Sequence, residues 1–215
     1  MAASGKSKRR YHSPHRQSRS RETRSAILDA AYTLFMKDGW PKTTIAAIAH
    51  AASVSNETIY ASFGSKRAIL QSLVERSIRG AAPDTPLLEQ PGPQAIIRAA
   101  DQNQQIALFA ADITAILDRV APLIAVVRAA AESEPEMESL YAALHRGRRK
   151  NLEFVADALL THGPLRAGLD RSEAAGLIWR LTSPELFLLI RRMEKRSLTA
   201  YRDWLADSLA RSLLD

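Results

Sequence analysis

TTIAAIAHAASVSNETIYASFGSK, residues 43–66, decides how this chain is read. Thr43 or Thr44 can cap a helix on which Ile45, Ile48, Ala49 and Ala52 share one face. The alanines are small, so a following helix can approach closely. A tight turn is expected at 52–54. Ser55 then caps a short helix from Asn56 to about Ser62, with Glu57 in its first turn against the macrodipole. Ile59 and Phe63, four apart, would brace that helix from behind. Gly64 ends it, and Ser65 caps a third helix beginning at Lys66. Two short helices and a tight turn, followed by a bracing helix, outline a helix-turn-helix DNA reader (motif 44–63).

A reading helix must be short, polar outside and rigid behind, because it enters a major groove whose base edges differ in donors and acceptors. Asn56, Thr58 and Ser62 supply the polar face. Thr43, Tyr60 and Lys66 sit at the edges of the unit, within reach of phosphates, and Lys66 stands in a helix first turn that favours anions. With Thr44, Ser55 and Glu57 these are the candidate DNA-binding residues. Taken singly, each is equally readable as a plain cap or a solvated side chain. The charge distribution adds weight. Residues 1–80 carry 14 Lys/Arg against 5 Asp/Glu, whereas residues 81–215 carry 16 against 18. A polyanion partner for the basic end is the physical reading.

Upstream, Ile27, Ala31, Leu34 and Phe35 form one stripe of a helix over about 21–37. Gly39 can end it, Pro41 forbids its resumption, and Trp40 is expected to fold back over the stripe. The helix from Lys66 to about Gly80 turns Ile69, Leu70, Leu73 and Val74 inward. Residues 1–20 are basic, with no acid, and read as a disordered arm. That arm either lies along DNA or only solubilises. Cysteine is absent, no apolar leader is seen, and no run approaches the roughly 18–20 apolar residues of a membrane span. A cytoplasmic location is expected, with no membrane partner.

Proline clusters at 83–86 and 91–93 mark a boundary between a reading domain (21–81) and a second domain (82–215). The second domain reads as helices over about 94–117, 122–131, 135–161, 171–181, 184–190 and 198–214, so the fold class is all-α. Asp170-Arg-Ser-Glu173 is a variant capping box. The acids at 132, 134, 136 and 138 complement a helix start better than they suggest a metal site. Arg146, Arg148, Arg149 and Lys150 read as a solvated face. Phe109, Ile113, Ile116, Leu117, Val127, Tyr141, Leu144 and His145 either line a cavity for a largely apolar effector or are simply core. Trp179, Phe187, Ile190, Tyr201, Trp204, Leu205 and Leu209 are either a two-fold helical interface or internal core.

Residues 21–81 resemble the N-terminal domain of the TetR family of bacterial transcriptional regulators. The resemblance is carried by Ile27-Leu-Asp-Ala-Ala31, Phe35, Gly39, Thr43-Thr44, Ile48-Ala49, Val54-Ser55, Thr58-Ile-Tyr60, Phe63, Ser65-Lys66 and Leu70. A looser resemblance extends through Arg128-Ala-Ala-Ala131 and Leu181-Thr-Ser-Pro-Glu-Leu186. It implies a homodimer on a palindromic DNA operator, a helical C-terminal domain for a small-molecule effector and dimerisation, phosphate contacts from Thr43, Tyr60 and Lys66, and a repressor role. Two positions depart from the family pattern: Ser53 stands where the turn usually has glycine, and Glu57 where a small or basic residue is common. The five histidines are scattered, and no nucleophile motif, phosphate loop or metal spacing occurs. An enzyme is therefore not expected, nor a cofactor or metal. A non-specific nucleoid-type nucleic-acid-binding protein is the alternative, although no aromatic stacking strip suits single strands.

Overall fold

The computed structural model describes residues 14–80 and 85–215. They form ten α-helices and one 3₁₀ turn, with no strand among the described residues. The reading domain holds α1 (Pro14–Lys42), α2 (Ile45–Ala51), α3 (Asn56–Phe63) and α4 (Lys66–Arg79). After a 3₁₀ turn at Leu87–Glu89 come α5 (Pro91–Arg98), α6 (Gln102–Ala131), α7 (Pro135–Leu160), α8 (Arg171–Leu181), α9 (Pro184–Arg192) and α10 (Leu198–Leu213). Among the described residues no helix is long and apolar enough to cross a membrane.

Helix starts follow the cap residues. Thr44 Oγ1 accepts from the Ala47 N–H, Ser55 Oγ from Thr58, Ser65 Oγ from Ala68, Ser183 Oγ from Leu186 and Ser197 Oγ from Ala200. Asp170 and Glu173 close the expected capping box in both directions. Each such cap stabilises its helix by roughly 1 kcal/mol. The turn between α2 and α3 places Ser53 at φ 54°, the left-handed conformation that a glycine would hold without strain.

The reading domain closes around Ile27, Ala31 and Phe35 of α1, Ile48 and Ala49 of α2, Ile59 of α3, and Ile69, Leu70, Leu73 and Val74 of α4, all buried. Trp40 stacks on Phe35 with ring centroids 5.8 Å apart. α6 is the hub of the molecule and packs against α1, α4, α5, α7, α9 and α10.

Several expectations are corrected. Residues 1–13 of the anticipated arm and residues 81–84 of the proline-rich boundary lie outside the described residues. Residues 14–20 are helical and continue α1; Ser18 donates to Glu22 Oε1 at 2.8 Å, one turn on. Helix geometry resumes after Gly39 (φ 70°), so Pro41 sits in a short continuation rather than beyond the end. The helix expected over 94–117 is two. Asp101 accepts from the Gln104 N–H and starts α6 afresh, and Gln102 Nε2 ties that start to the carbonyls of Leu159, Gly163 and Pro164. α6 then runs through Pro122, which forgoes only the bond to the carbonyl of Asp118, a residue on the exposed side.

Ser53→Gly should raise stability by about 0.5–1 kcal/mol, the strain relieved exceeding the entropy added to the unfolded chain. Chemical denaturation checks this. A loss of stability would show that Ser53 is not held in the left-handed region.

Candidate DNA-reading face and inner cavity

α3 is built as a braced, wet-faced helix. Ile59 is fully buried, and Phe63 lies beneath the Arg24 guanidinium at 4.0 Å. Arg24 Nη1 also donates to the Ser62 carbonyl at 2.7 Å, pinning the C-terminal end of α3 to α1. On the outer side Ser55, Asn56 and Glu57 are exposed, Tyr60 is 55% exposed, and Thr58 and Ser62 are half-buried. The hydroxyls of Ser55 and Thr58 lie 3.1 Å apart, so Thr58 is partly engaged. Glu57 keeps its carboxyl below the usual carboxylate range through its own backbone N–H and the Ser55 hydroxyl. It is a fixed negative charge on the reading face. Thr44 is exposed and caps α2.

Two candidate phosphate contacts are turned inward. Thr43 is 1% exposed, and its hydroxyl donates to the Gly39 carbonyl at 2.8 Å, closing the kink of α1. Lys66 Nζ donates to the Trp40 carbonyl at 2.9 Å and lies 3.9 Å from the centre of the Trp40 ring. Burial lowers its pKa, with the Glu134 charge opposing. Neither side chain projects outward as the sequence pattern suggested.

Residues 27–73 match the model of the bacterial regulatory proteins of the tetR family. Over those residues the chain resembles the TetR-family transcriptional regulators. Solved structures resemble most of the chain. NalD, the secondary repressor of the MexAB-OprM multidrug efflux pump in Pseudomonas aeruginosa, is 19% identical with a TM-score of 0.64, covering 91% of this chain and 98% of its own. The regulator FadR from Bacillus subtilis, solved with stearoyl-CoA, is 21% identical with a TM-score of 0.67, covering 86% and 96%. The SmeT–triclosan complex is 20% identical with a TM-score of 0.67, covering 90% and 92%. At such identities the likeness establishes a shared fold. No curated protein matches the chain.

Behind the α1–α4 head lies a cavity of about 330 Å³. Phe109, Ile113, Ile116 and Leu117 of α6 and Leu144 and His145 of α7 line it, as the apolar pattern suggested. Val127 and Tyr141 do not. Val127 is buried in the core, and the Tyr141 hydroxyl donates to Glu185 Oε1 at 2.8 Å. Val74 and Ile78 of α4 complete the wall, so the helix that follows α3 is also a cavity wall.

Three charged residues line this cavity without having been anticipated: Glu75, Asp112 and Arg148. Asp112 abuts Gly92 so closely that a Cβ there would lie 2.2 Å from its Oδ1. Burial raises the Asp112 pKa, and Arg119 opposes this. Arg148 corrects the reading of 146–150 as a solvated face. Its Nη1 donates to the backbone and hydroxyl oxygens of Thr182, both at 3.2 Å, and its guanidinium carbon lies 5.1 Å from the centre of the Trp179 ring. Burial lowers its pKa to about 10, against the opposing pull of Glu185, Tyr141 and Tyr201. A signal was available: Arg148 falls four residues from both Leu144 and Leu152, on the apolar stripe of α7.

The corner between α6 and α7 grips the head. Trp40 Nε1 donates to Glu134 Oε1 at 2.7 Å, and Arg67 Nε donates to the Glu136 carbonyl at 3.2 Å. Glu134 therefore does more than complement a helix start.

Most candidate interface residues are internal. Phe187, Ile190, Tyr201, Leu205 and Leu209 are buried within the chain, because the apolar stripe of α10 packs on α6, α8 and α9. Tyr201 meets the Phe187 ring edge-on at 4.8 Å. Trp179 and Trp204 are half-buried. The large apolar side chains left exposed here are Leu189, Met193 and Leu198.

Glu134→Ala should cost about 1–3 kcal/mol by stranding the Trp40 N–H. Glu136→Ala should stay within about 0.5 kcal/mol, since only its backbone is used. Equal effects in denaturant titrations would refute the asymmetry.

Proposed function

We propose that this protein is an effector-responsive repressor that binds a palindromic operator as a homodimer and is released by a small, largely apolar molecule. The domain plan is a basic arm (1–20), whose last residues extend α1, a reading domain (21–81), and an effector-binding and dimerisation domain (82–215). One observation carries the reading: α4 directly follows the reading helix and is at the same time a wall of the inner cavity. An occupant that moves α4 moves the heads.

On DNA, Asn56 and Tyr60 are the outward residues best placed to meet the duplex, with Thr58 and Ser62 beside them and the caps Thr44 and Ser55 at the rim. Backbone N–H groups at the starts of α2 and α4 can meet phosphates. Two heads must sit roughly 34–36 Å apart to occupy successive major grooves. An effector that alters this spacing weakens binding by a coupling of about 1–3 kcal/mol. The neighbours solved with stearoyl-CoA and with triclosan support a cavity that accepts small molecules. Nothing on the reading face suits turnover, and the family is one of regulators. A nucleoid-type protein is the competing reading, and it predicts no preference among duplexes.

The test compares an inverted repeat selected from random duplex with scrambled sequence, in anisotropy titrations across salt. A footprint and a strong preference are expected; equal binding would leave the nucleoid reading. Asn56→Ala and Tyr60→Ala should each weaken operator binding roughly tenfold while leaving helix content unchanged. Glu57→Ala should do the reverse on scrambled duplex, tightening it a few-fold by removing a charge that repels phosphate. Unchanged affinity in all three variants would show that α3 does not enter the groove.

A further inference from the structure

Building on the effector-site reading above, we infer that the cavity takes an amphiphilic organic acid, its apolar body against α6 and its carboxylate on Arg148. The argument begins with unmet hydrogen bonds. Buried polar atoms are normally partnered, and a group of them without partners marks something missing. Among the described residues, Arg148 Nε and Nη2, both ring nitrogens of His145, Trp179 Nε1 and the Tyr201 hydroxyl are buried with no hydrogen-bond partner. They are neighbours. The His145 and Trp179 rings lie 6.0 Å apart, and Trp179 is also the ring beneath Arg148.

Nearly all of these atoms donate. Arg and Trp nitrogens can only donate, and a tyrosine hydroxyl and a neutral imidazole each offer one proton. A water could accept from two of them, but its own protons would then need acceptors. The nearest acceptors serve other donors: Thr182 takes Arg148 Nη1, and Glu185 Oε1 takes the Tyr141 hydroxyl. His145 Nε2 stands 3.4 Å from Glu185 Oε1, a pairing that helps hold the Glu185 carboxyl down at about 2. Arg148 Nε and Nη2 and Trp179 Nε1 are still left with no acceptor. A carboxylate has about four lone-pair sites and no proton to place.

The geometry of the free donors is specific. Arg148 uses Nη1 on Thr182 and leaves Nε and Nη2, the two nitrogens of one guanidinium edge. That edge is a fork matching the two oxygens of a carboxylate. Arg148 and His145 both line the cavity whose remaining wall is apolar. Two acids, Asp112 and Glu75, line the same cavity, and they would favour a cation instead. Asp112 can shed its charge by protonation, the direction in which burial drives it, whereas a guanidinium stays charged at neutral pH. Glu75 is engaged by Gln71, and Glu185, which also acts on Arg148 electrostatically, is turned to Tyr141 and His145, so the donor edge left without an acceptor is that of Arg148.

The test uses the full chain and a neutral fluorescent probe, N-phenyl-1-naphthylamine, displaced by three ligands with one tail: decanoate, decanol and decyltrimethylammonium. Decanoate should displace the probe at least roughly tenfold more effectively than decanol. Arg148→Met should reduce decanoate to the level of decanol without changing decanol, and Arg148→Lys should retain part of the preference. The wild-type ranking decides even if a variant fails to fold. Equal displacement by decanoate and decanol, or a preference for the ammonium that Asp112→Asn abolishes, would overturn the headgroup assignment and leave the effector cavity standing. Failure of all three ligands to enter would overturn both.

Discussion

Helix α4 is packed on two sides at once, and the rest of the molecule is organised by that fact. Ile69, Leu70 and Leu73 are sealed in the core that holds the reading head together. Val74 and Ile78, further along the same helix, face the cavity walled by α6. α4 also packs on α1 and α6, so it cannot move without disturbing both. Close-packed interiors respond to strain by switching arrangement, not by deforming smoothly. A cavity placed against such a beam is a natural point from which to bias the head. An occupant does so only to the extent that it binds one position of α4 better than another.

A second tie makes the same connection from the other end. The corner joining α6 and α7 hydrogen-bonds to Trp40, and Lys66 closes over the same indole from the start of α4. Both helices that build the cavity thus end at a corner fixed to the head. The cost is that Lys66 is spent on internal order. This leaves the rim around α3 less cationic than the basic charge of residues 1–80 suggests. Lys37 and Lys42 are exposed near the α1–α2 connection and remain to supply that charge.

What could be read from the sequence was local. Caps act within three residues, and the stripes of α1 and α4 repeat within a helix, so the head was legible almost residue by residue. The turn at Ser53 was legible through the resemblance, which usually has glycine there, and Ser53 does hold the left-handed conformation. What could not be read depends on distant partners. Thr43 and Thr44 are equivalent as caps until the Gly39 carbonyl appears beside Thr43. Lys66 looks free until Trp40, 26 residues away, is folded beneath it. Ala99 and Ala100 favour helix, and only the cap at Asp101 and the grip of Gln102 on the end of α7 break it there. The cavity residues were legible as an apolar set, but period alone cannot separate a lined space from a filled one. Arg148 was hidden by its basic neighbours, although its place on the stripe of Leu144 and Leu152 marked it.

The C-terminal helices show why an apolar stripe does not name its partner. Tyr201, Leu205 and Leu209 share one face of α10, a pattern that suits a second subunit as well as it suits α6. The packing resolves the choice, since α6 is long enough to take α10 alongside α7 and α9. A two-fold contact must then use what remains outside. Leu189, Met193 (70% exposed) and Leu198 cluster about the α9–α10 connection, where Lys195 holds φ 54°. Half-buried Trp204 lies six residues, nearly two turns, beyond Leu198. Such a patch suits association better than solvent. The buried faces of α9 and α10 pack on α6, whereas these side chains are exposed, so a contact made through them opens neither core. That arrangement would leave the cavity intact inside each subunit, and the pairing of the heads would depend on how rigidly each α6 carries its own α4.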